Sequence, residues 1–234
     1  MILAATGSSV IGPSHKQENL PNQDAMMIYG IRGGWCIAVC DGLGSRALSH
    51  IGSRTAAQRV RSTLRQQTPE PIPSSSLHTS QKIQQSWLDE FAGNSRPYET
   101  TCLWAHVLPN GTGVAAQIGD GLLLIKANKQ LHVITSQREG FGNQTQTLAH
   151  ATANDWATAE FQLSQPGDGV LLMTDGISDD LIADQLEGFF DVVYQQLKSS
   201  TKRRCKQWLT KELEEWTTPK HGDDKSIAGI FRIE

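Results

Sequence analysis

The chain has little that would mark it for an extracellular, membrane or nucleic-acid setting. Four cysteines in 234 residues, Cys36, Cys40, Cys102 and Cys205, show no CxxC spacing, which argues against a zinc ribbon or a thioredoxin-like redox pair. Cys36 and Cys40 share a strand face but lie roughly 13 Å apart along it, too far to bridge, so reduced, buried thiols are expected. No run of residues approaches the ~20 apolar positions of a membrane span. Met1–Ala5 carries no basic residue and is too short for a secretory leader; a cytoplasmic location is expected. There is no excess of basic charge: the net charge is −3 and the pI about 6.2, which gives no bulk electrostatic drive toward nucleic acid. Lys202-Arg203-Arg204 is short and followed by Glu212, Glu214 and Glu215, as on a solvated helix face. Aromatics make up 6% and hydrophobic residues 38%, enough for an ordinary globular core.

What the chain does have is a recurrent pattern. Three apolar runs end in Asp-Gly: Trp35–Cys40 into Asp41-Gly42, Val114–Gly119 into Asp120-Gly121, and Val170–Thr174 into Asp175-Gly176. A buried strand ending on a carboxylate presents it at the rim of a sheet, and the glycine lets the backbone turn or approach an ion. Carboxylates gathered at one rim suit a hard divalent cation. Asp-Gly is equally a hairpin signal, and for any single pair the turn is the readier reading. Asp168-Gly169, which precedes its strand, is read as a turn only.

The periodicity predicts a strand near the N-terminus, strands over Ala25–Tyr29 and Trp35–Asp41 joined at Arg32-Gly33-Gly34, and a helix over Ser53–Gln67. An exposed connector follows at about 68–76, rich in Pro and Ser, before a helix with Ile83, Trp87 and Phe91 on one stripe. Short strands are predicted over Cys102–Leu108, Gly113–Ile118, Leu122–Lys126, Leu131–Thr135, Ala159–Leu163 and Gly169–Thr174. Pro109-Asn110-Gly111 and Ala127-Asn128-Lys129 supply turns. Leu181–Trp216 reads as helical with Leu209, Leu213 and Trp216 buried, and Ser226–Ile233 as a last strand. With no linker dividing two cores, residues 1–234 are expected to form one α+β domain of mainly antiparallel sheets covered by helices.

Two further acidic positions complete the set. Asp24 closes Pro21-Asn22-Gln23-Asp24, and Asp223-Asp224 precedes the final strand. Taken in order, Gly12-Pro13-Ser14-His15, Gln23-Asp24-Ala25, Asp41-Gly42-Leu43-Gly44-Ser45, Gly119-Asp120-Gly121, Thr174-Asp175-Gly176 and Asp223-Asp224 resemble the signature of the metal-dependent Ser/Thr protein phosphatases (the PPM, or type 2C, family), in its compact bacterial branch. The resemblance covers essentially the whole chain, from about Thr6 to Ile233. Each fragment alone is weak; the ordered set is specific.

The resemblance implies a four-layer αββα sandwich of two antiparallel sheets flanked by helices. It implies hydrolysis of phosphoserine or phosphothreonine by a metal-bridging hydroxide at two Mn²⁺ or Mg²⁺ ions, with a weaker third. Asp41 would bridge the two ions and the Gly42 carbonyl would bind the second. Asp175 and Asp223 would hold the first, with Asp224 as the alternative to Asp223 according to strand register. Asp24 would lie near the second ion, and Asp120 and Asp179 would form the third site. For Asp120 a hairpin turn, and for Asp179 a helix N-terminus begun by Ser178, compete with that role. Several carboxylates in one cleft would repel a phosphate dianion, so divalent ions are a requirement of the chemistry. Oxygen donors favour Mg²⁺ or Mn²⁺ over Zn²⁺. A phosphoprotein substrate, a cognate Ser/Thr kinase as partner and a monomeric state complete the expectation, with neither nucleic acid nor membrane as partner.

The chain departs from its larger relatives in three places. Gln23 stands where they have Glu. His15, beside Lys16, stands in the region of their phosphate-gripping Arg and lacks its bidentate fork; a loop histidine without a role is the alternative. Leu43 replaces a histidine, with His50 and His221 as substitutes that nothing in the sequence compels. These departures leave two rivals: a catalytically weak phosphatase-like binding module, and an α+β domain whose Asp-Gly pairs are all turns. The polar segment Gly140–Thr145 also matches the compact branch, without a role to assign.

Overall fold

The computed structural model describes residues 1–66, 75–135, 145–216 and 222–234. Two five-stranded sheets form its centre. One has the order β1 (Leu3–Val10), β10 (Lys225–Arg232), β9 (Gly169–Met173), β6 (Leu122–Ala127), β7 (Gln130–Ile134). The other has the order β2 (Ala25–Ile31), β3 (Gly34–Cys40), β4 (Cys102–Val107), β5 (Thr112–Ile118), β8 (Ala157–Gln162). Every neighbouring pair is antiparallel.

The strands are apolar on both faces because both faces are covered. In β3, Ile37 and Val39 face the other sheet, joining Leu103, Ala105, Leu123, Val170, Leu172 and Ile230 in the middle layer. Cys36, Ala38 and Cys40 face the opposite way, toward α2 (Ser49–Gln66) and α3 (Ser76–Glu90), where Val60, Leu64, Ile83 and Trp87 are buried. Beyond the first sheet lie α5 (Leu186–Ser199) and α6 (Lys202–Glu215), which bury Phe190, Val193, Leu209 and Leu213 against Leu171, Ile227 and Phe231. The expected αββα layering is therefore observed. All four cysteines are buried free thiols. No described helix is long and apolar enough to cross a membrane.

Several expectations need correction. Leu181–Trp216 is not one helical block: it breaks at Ser200-Thr201, where the Thr201 hydroxyl accepts a bond from the Arg204 amide and caps α6. Trp216 lies past the end of α6, half-buried, with its indole N–H on Asp180 rather than in a buried stripe. Phe91 follows α3 and stacks on Tyr98 at a centroid distance of 4.0 Å. Residues 67–74 of the expected connector lie outside the described residues, and Ser76, its last residue, is buried in α3. A short helix α1 (Pro13–Glu18) was not predicted; it buries none of its residues, so no apolar period announces it.

The turns behave as read. Arg32 and Gly33, and likewise Asn128 and Lys129, have positive φ, closing β2–β3 and β6–β7 as tight hairpins. Asp168 accepts the amides of Ser164 and Gln165 at 2.8 and 2.9 Å, so its carboxylate holds a turn.

Two tests follow. Gly52 in α2 lies so close to the Tyr98 carbonyl that a Cβ would sit 1.8 Å from the oxygen. Gly52→Ala should destabilise the fold by about 1–3 kcal/mol, read as a lower Tm. His106 sits opposite Cys36 on the β3–β4 ladder with Nε2 buried and without a hydrogen-bond partner among the described residues. Burial, aided by the Arg32 charge, lowers its pKa from 6.5 to about 4. The unfolded chain thus takes up a proton below pH 6.5 that the folded chain refuses until about pH 4, and stability falls across that window. Urea titrations at pH 7 and 5 should show a smaller fall in His106→Gln than in the parent chain.

Candidate metal centre

The acidic residues converge at one end of the sandwich because the apolar strands deliver them there. Asp41 follows β3, and its backbone is held on both sides. Its amide donates to Thr101 Oγ1 at 2.9 Å, and its carbonyl accepts from the Thr101 amide at 2.8 Å and the Thr100 hydroxyl at 2.7 Å. Gly42 is wedged beside it: a Cβ there would meet the Ser49 and Gln23 carbonyl oxygens at 2.7 and 2.8 Å, so no other residue fits without movement. Gly42 N–H donates to the Gln23 carbonyl, which also accepts the Ser53 hydroxyl from the first turns of α2.

Asp120 does not turn a hairpin. β5 before it and β6 after it belong to different sheets, so Gly119-Asp120-Gly121 carries the chain from one sheet to the other. Gly119 has φ +110 and packs on Thr101. The Thr145 hydroxyl donates to Asp120 Oδ2, which gives the end of the polar segment a contact at the site; residues 140–144 lie outside the described residues. Asp175 is likewise no hairpin: it is the first residue of α4 (Asp175–Ser178), which follows β9 directly. Asp179 ends α4 rather than beginning a helix, so the N-terminus reading for it fails.

Carboxylate oxygens of Asp41, Asp120 and Asp175 all lie within 4.8 Å of one another, as do ligand atoms of His15, Asp223 and Asp224. Burial, reinforced by the charges of Asp24, Asp175 and Asp223, holds the Asp41 carboxyl well above its ordinary range. Burial, then Asp120 and Asp223, raises Asp175 to about 6. Burial raises Asp24 to about 8, opposed by its bond from Thr174 Oγ1 at 2.8 Å. Asp24 therefore lies behind the cluster, tied through Thr174 to the Ser226 amide, while Asp179 is exposed at its rim.

The neighbouring aspartates before β10 have separate surroundings. Asp224 is buried, and its oxygens accept the amides of Gly12 (2.7 Å) and Gln23 (2.6 Å) and face His15 Nδ1 at 2.9 Å. Asp223 is exposed, its carboxylate accepts only the adjacent Asp224 amide among the described residues, and it contributes to the fields at Asp41 and Asp175. Asp224 is thus occupied as a tie between segments, while Asp223 faces solvent. His15 lies on α1 rather than in a loop, and Asp224 orients its ring. His50 lies on α2, its pKa lowered by burial and by Arg54; His221 is outside the described residues.

The donor set passes a direct test for a cation. Among the described residues Asp175 Oδ1 is buried without a hydrogen-bond partner, beside Asp120 and Asp223, whose charges raise the Asp175 pKa. Such an oxygen is costly unless a positive charge faces it. The Asp41, Asp120 and Asp175 donors are all oxygens, the chemistry of Mg²⁺ or Mn²⁺. Sequence reasoning passed over Thr100, Thr101 and Thr174, the hydroxyls that hold Asp41 and Asp24, and Lys225, whose buried side chain donates to the Asp223 carbonyl at 3.2 Å. The three threonines carry no local signal, because each acts through a partner distant in sequence.

The profile of the protein phosphatase 2C family matches residues 11–214, and the chain belongs to that family. No curated protein matches it in sequence. Among solved structures it is similar to a bacterial serine phosphatase, with TM-score 0.71, 17% identity, and coverage of 100% of this chain and 98% of that one. It is also similar to the serine/threonine phosphatase Stp1 from Staphylococcus aureus, with TM-score 0.67, 16% identity and coverage of 99% and 96%. A third is the catalytic domain of the serine threonine protein phosphatase PstP in complex with 2 manganese ions, with TM-score 0.64, 17% identity and coverage of 99% of each chain. At these identities the structures speak for the shared fold.

Separate roles for the two adjacent aspartates make a test. Asp224→Ala should lower the Tm of the metal-free protein, since two amides and His15 lose their acceptor. Asp223→Asn should leave the metal-free Tm unchanged or raise it, while reducing the rise in Tm that Mn²⁺ produces.

Proposed function

We propose that this chain is a metal-dependent protein phosphatase that removes phosphate from phosphoserine or phosphothreonine. The observation that carries the reading is the Asp41–Asp120–Asp175 cluster with its orphaned Asp175 oxygen, in a chain of the protein phosphatase 2C family. Asp41, Asp175, Asp223 and the Gly42 carbonyl would hold two divalent ions, with Asp24 supporting from behind and Asp120 and Asp179 available to a third. The two manganese ions of the PstP complex favour Mn²⁺, with Mg²⁺ its alternative. Such ions, when bound, activate water for in-line attack on phosphorus and offset charge on the phosphoryl oxygens.

The chain's own residues do the positioning. Thr100 and Thr101 fix the Asp41 backbone, so the carboxylate stays at the cleft without a search over backbone states. Asp224 holds His15 through Nδ1, leaving Nε2 for a phosphate oxygen. Leu43 follows Gly42, so no imidazole is supplied there to protonate the leaving oxygen. A phosphoprotein is the proposed substrate, a Ser/Thr kinase the proposed functional counterpart, and a cytoplasmic monomer the proposed working form.

Turnover of p-nitrophenyl phosphate and a phosphothreonine peptide should require Mn²⁺ or Mg²⁺. Asp41→Asn and Asp175→Asn should each lower kcat by at least about a hundredfold, on the scale of losing a main electrostatic contributor. A folded protein without turnover at millimolar metal would turn the reading to a phosphatase-like binding module.

A further inference from the structure

Helix α2 is charged in one sense only. It carries Arg54, Arg59, Arg61 and Arg65, and none of the chain's 24 acidic residues, in a molecule whose net charge is −3. Arg59 is neutralised by an ion pair with Glu90 of α3. The other three are exposed and have no carboxylate at ion-pair distance among the described residues. His50, Arg54, Gln58, Arg61 and Arg65 recur at intervals of four, four, three and four, which places them on one face of the helix.

Both ends of this stripe are anchored. At its start, Ser53 bonds the Gln23 carbonyl and the Ser49 carbonyl abuts Gly42, so the stripe begins beside Asp41. At its end, Arg61 and Arg65 lie over the Tyr29 ring, 4.1 and 5.9 Å from its centroid. Arg32 from the β2–β3 turn donates to the Arg65 carbonyl at 3.2 Å. Two guanidinium groups thus lie over one tyrosine on the edge strand β2, and a third, from Arg32, is bonded to the backbone beside them. Their field reaches inward: the Arg61 charge acts on the Cys36 thiol and that of Arg32 on His106. Like charges held together repel one another unless an anion lies among them.

We propose that this face of α2, with Arg32 at its far end, is the docking surface for an acidic segment of the phosphoprotein substrate. The proposal rests on the phosphatase reading and specifies its substrate class. The span from His50 to Arg65 is about 22 Å at 1.5 Å per residue, the reach of some six or seven extended residues. A phosphorylated residue at the cleft would therefore place acidic neighbours up to about seven positions away on the arginines. The stripe's contiguity with the carboxylate cluster favours a peptide substrate over a long nucleic acid, whose phosphates would also have to run past the exposed Asp223 and Asp179.

The test uses two phosphothreonine peptides that differ only at positions four to seven on either side of the phosphothreonine, Asp and Glu in one, Asn and Gln in the other. Steady-state kinetics with Mn²⁺ are measured for the intact chain, Arg54→Gln, and Arg61→Gln with Arg65→Gln, beside p-nitrophenyl phosphate. The acidic peptide should show a KM about tenfold lower at low salt, as for several exposed charge pairs acting together, with kcat unchanged. That advantage should shrink in the variants and at ~0.5 M NaCl, while p-nitrophenyl phosphate turnover stays the same in all. Equal KM values, or an advantage undiminished in Arg54→Gln (whose side chain has no hydrogen-bond or ion-pair partner among the described residues), would overturn the proposal. If p-nitrophenyl phosphate itself is not hydrolysed, the activity reading fails separately. Fluorescence anisotropy of the same labelled peptides then judges the surface, with tighter binding of the acidic one, lost in the variants, supporting it and equal binding overturning it. Tighter binding of a labelled oligouridylate than of the acidic peptide, also lost in Arg54→Gln, would overturn the peptide assignment in favour of nucleic acid.

Discussion

The apolar layer between the two sheets is the constraint on which the rest of the molecule depends. Ile37, Val39, Leu103, Leu123, Val170, Leu172 and Ile230 meet there with little or no solvent exposure, and no polar group can reverse direction inside such a layer without losing its hydrogen bonds. Reversals are driven to the ends of the sandwich. Strands β3 and β9 and the β5–β6 crossing each exit at the same end on an aspartate, so the convergence of carboxylates follows from burying the strands that carry them.

That convergence works against the stability of the metal-free fold. Asp24, Asp41 and Asp175 are each pushed toward the protonated form by burial and by the charges of neighbouring carboxylates. The surrounding hydroxyls and amides hold them in place nonetheless, with Thr101 on the Asp41 backbone, Thr174 on Asp24, and Gly12 and Gln23 on Asp224. A site kept strained by its scaffold binds a compensating charge with less rearrangement, which is the usual basis of preorganisation.

Much of this was legible in the sequence, for unequal reasons. The α+β class followed from strand-length apolar runs such as Cys36 to Cys40 set between helical periods, while the four layers came with the family resemblance. The candidate ligands were legible through the ordered Asp-Gly fragments and the family they resemble. What sits between was not. Asp120-Gly121 looks like a hairpin until one knows that Ile118 and Leu122 belong to different sheets, a fact of strand order that local pattern does not encode. Asp223 and Asp224 are identical in type, and only the register of β10 sends one into the amides of Gly12 and Gln23. Trp216 has the spacing of a buried helical residue, but the helix ends one residue before it.

The order of the strands has a bearing on how the chain acquires its site. β10 lies between β1 and β9, which do not pair with each other, yet it is synthesised after every other strand described here. Until Lys225–Arg232 inserts, the first strand has no partner in its sheet, and the segment bearing Asp223 and Asp224 has no fixed place. Pairings between residues more than two hundred positions apart, such as Leu3 with Arg232, close late because of the chain entropy they cost. A nascent or truncated chain lacking that strand would thus carry Asp41 and Asp175 without their companion. Assembly of the carboxylate cluster is thereby tied to the seating of β10 between β1 and β9.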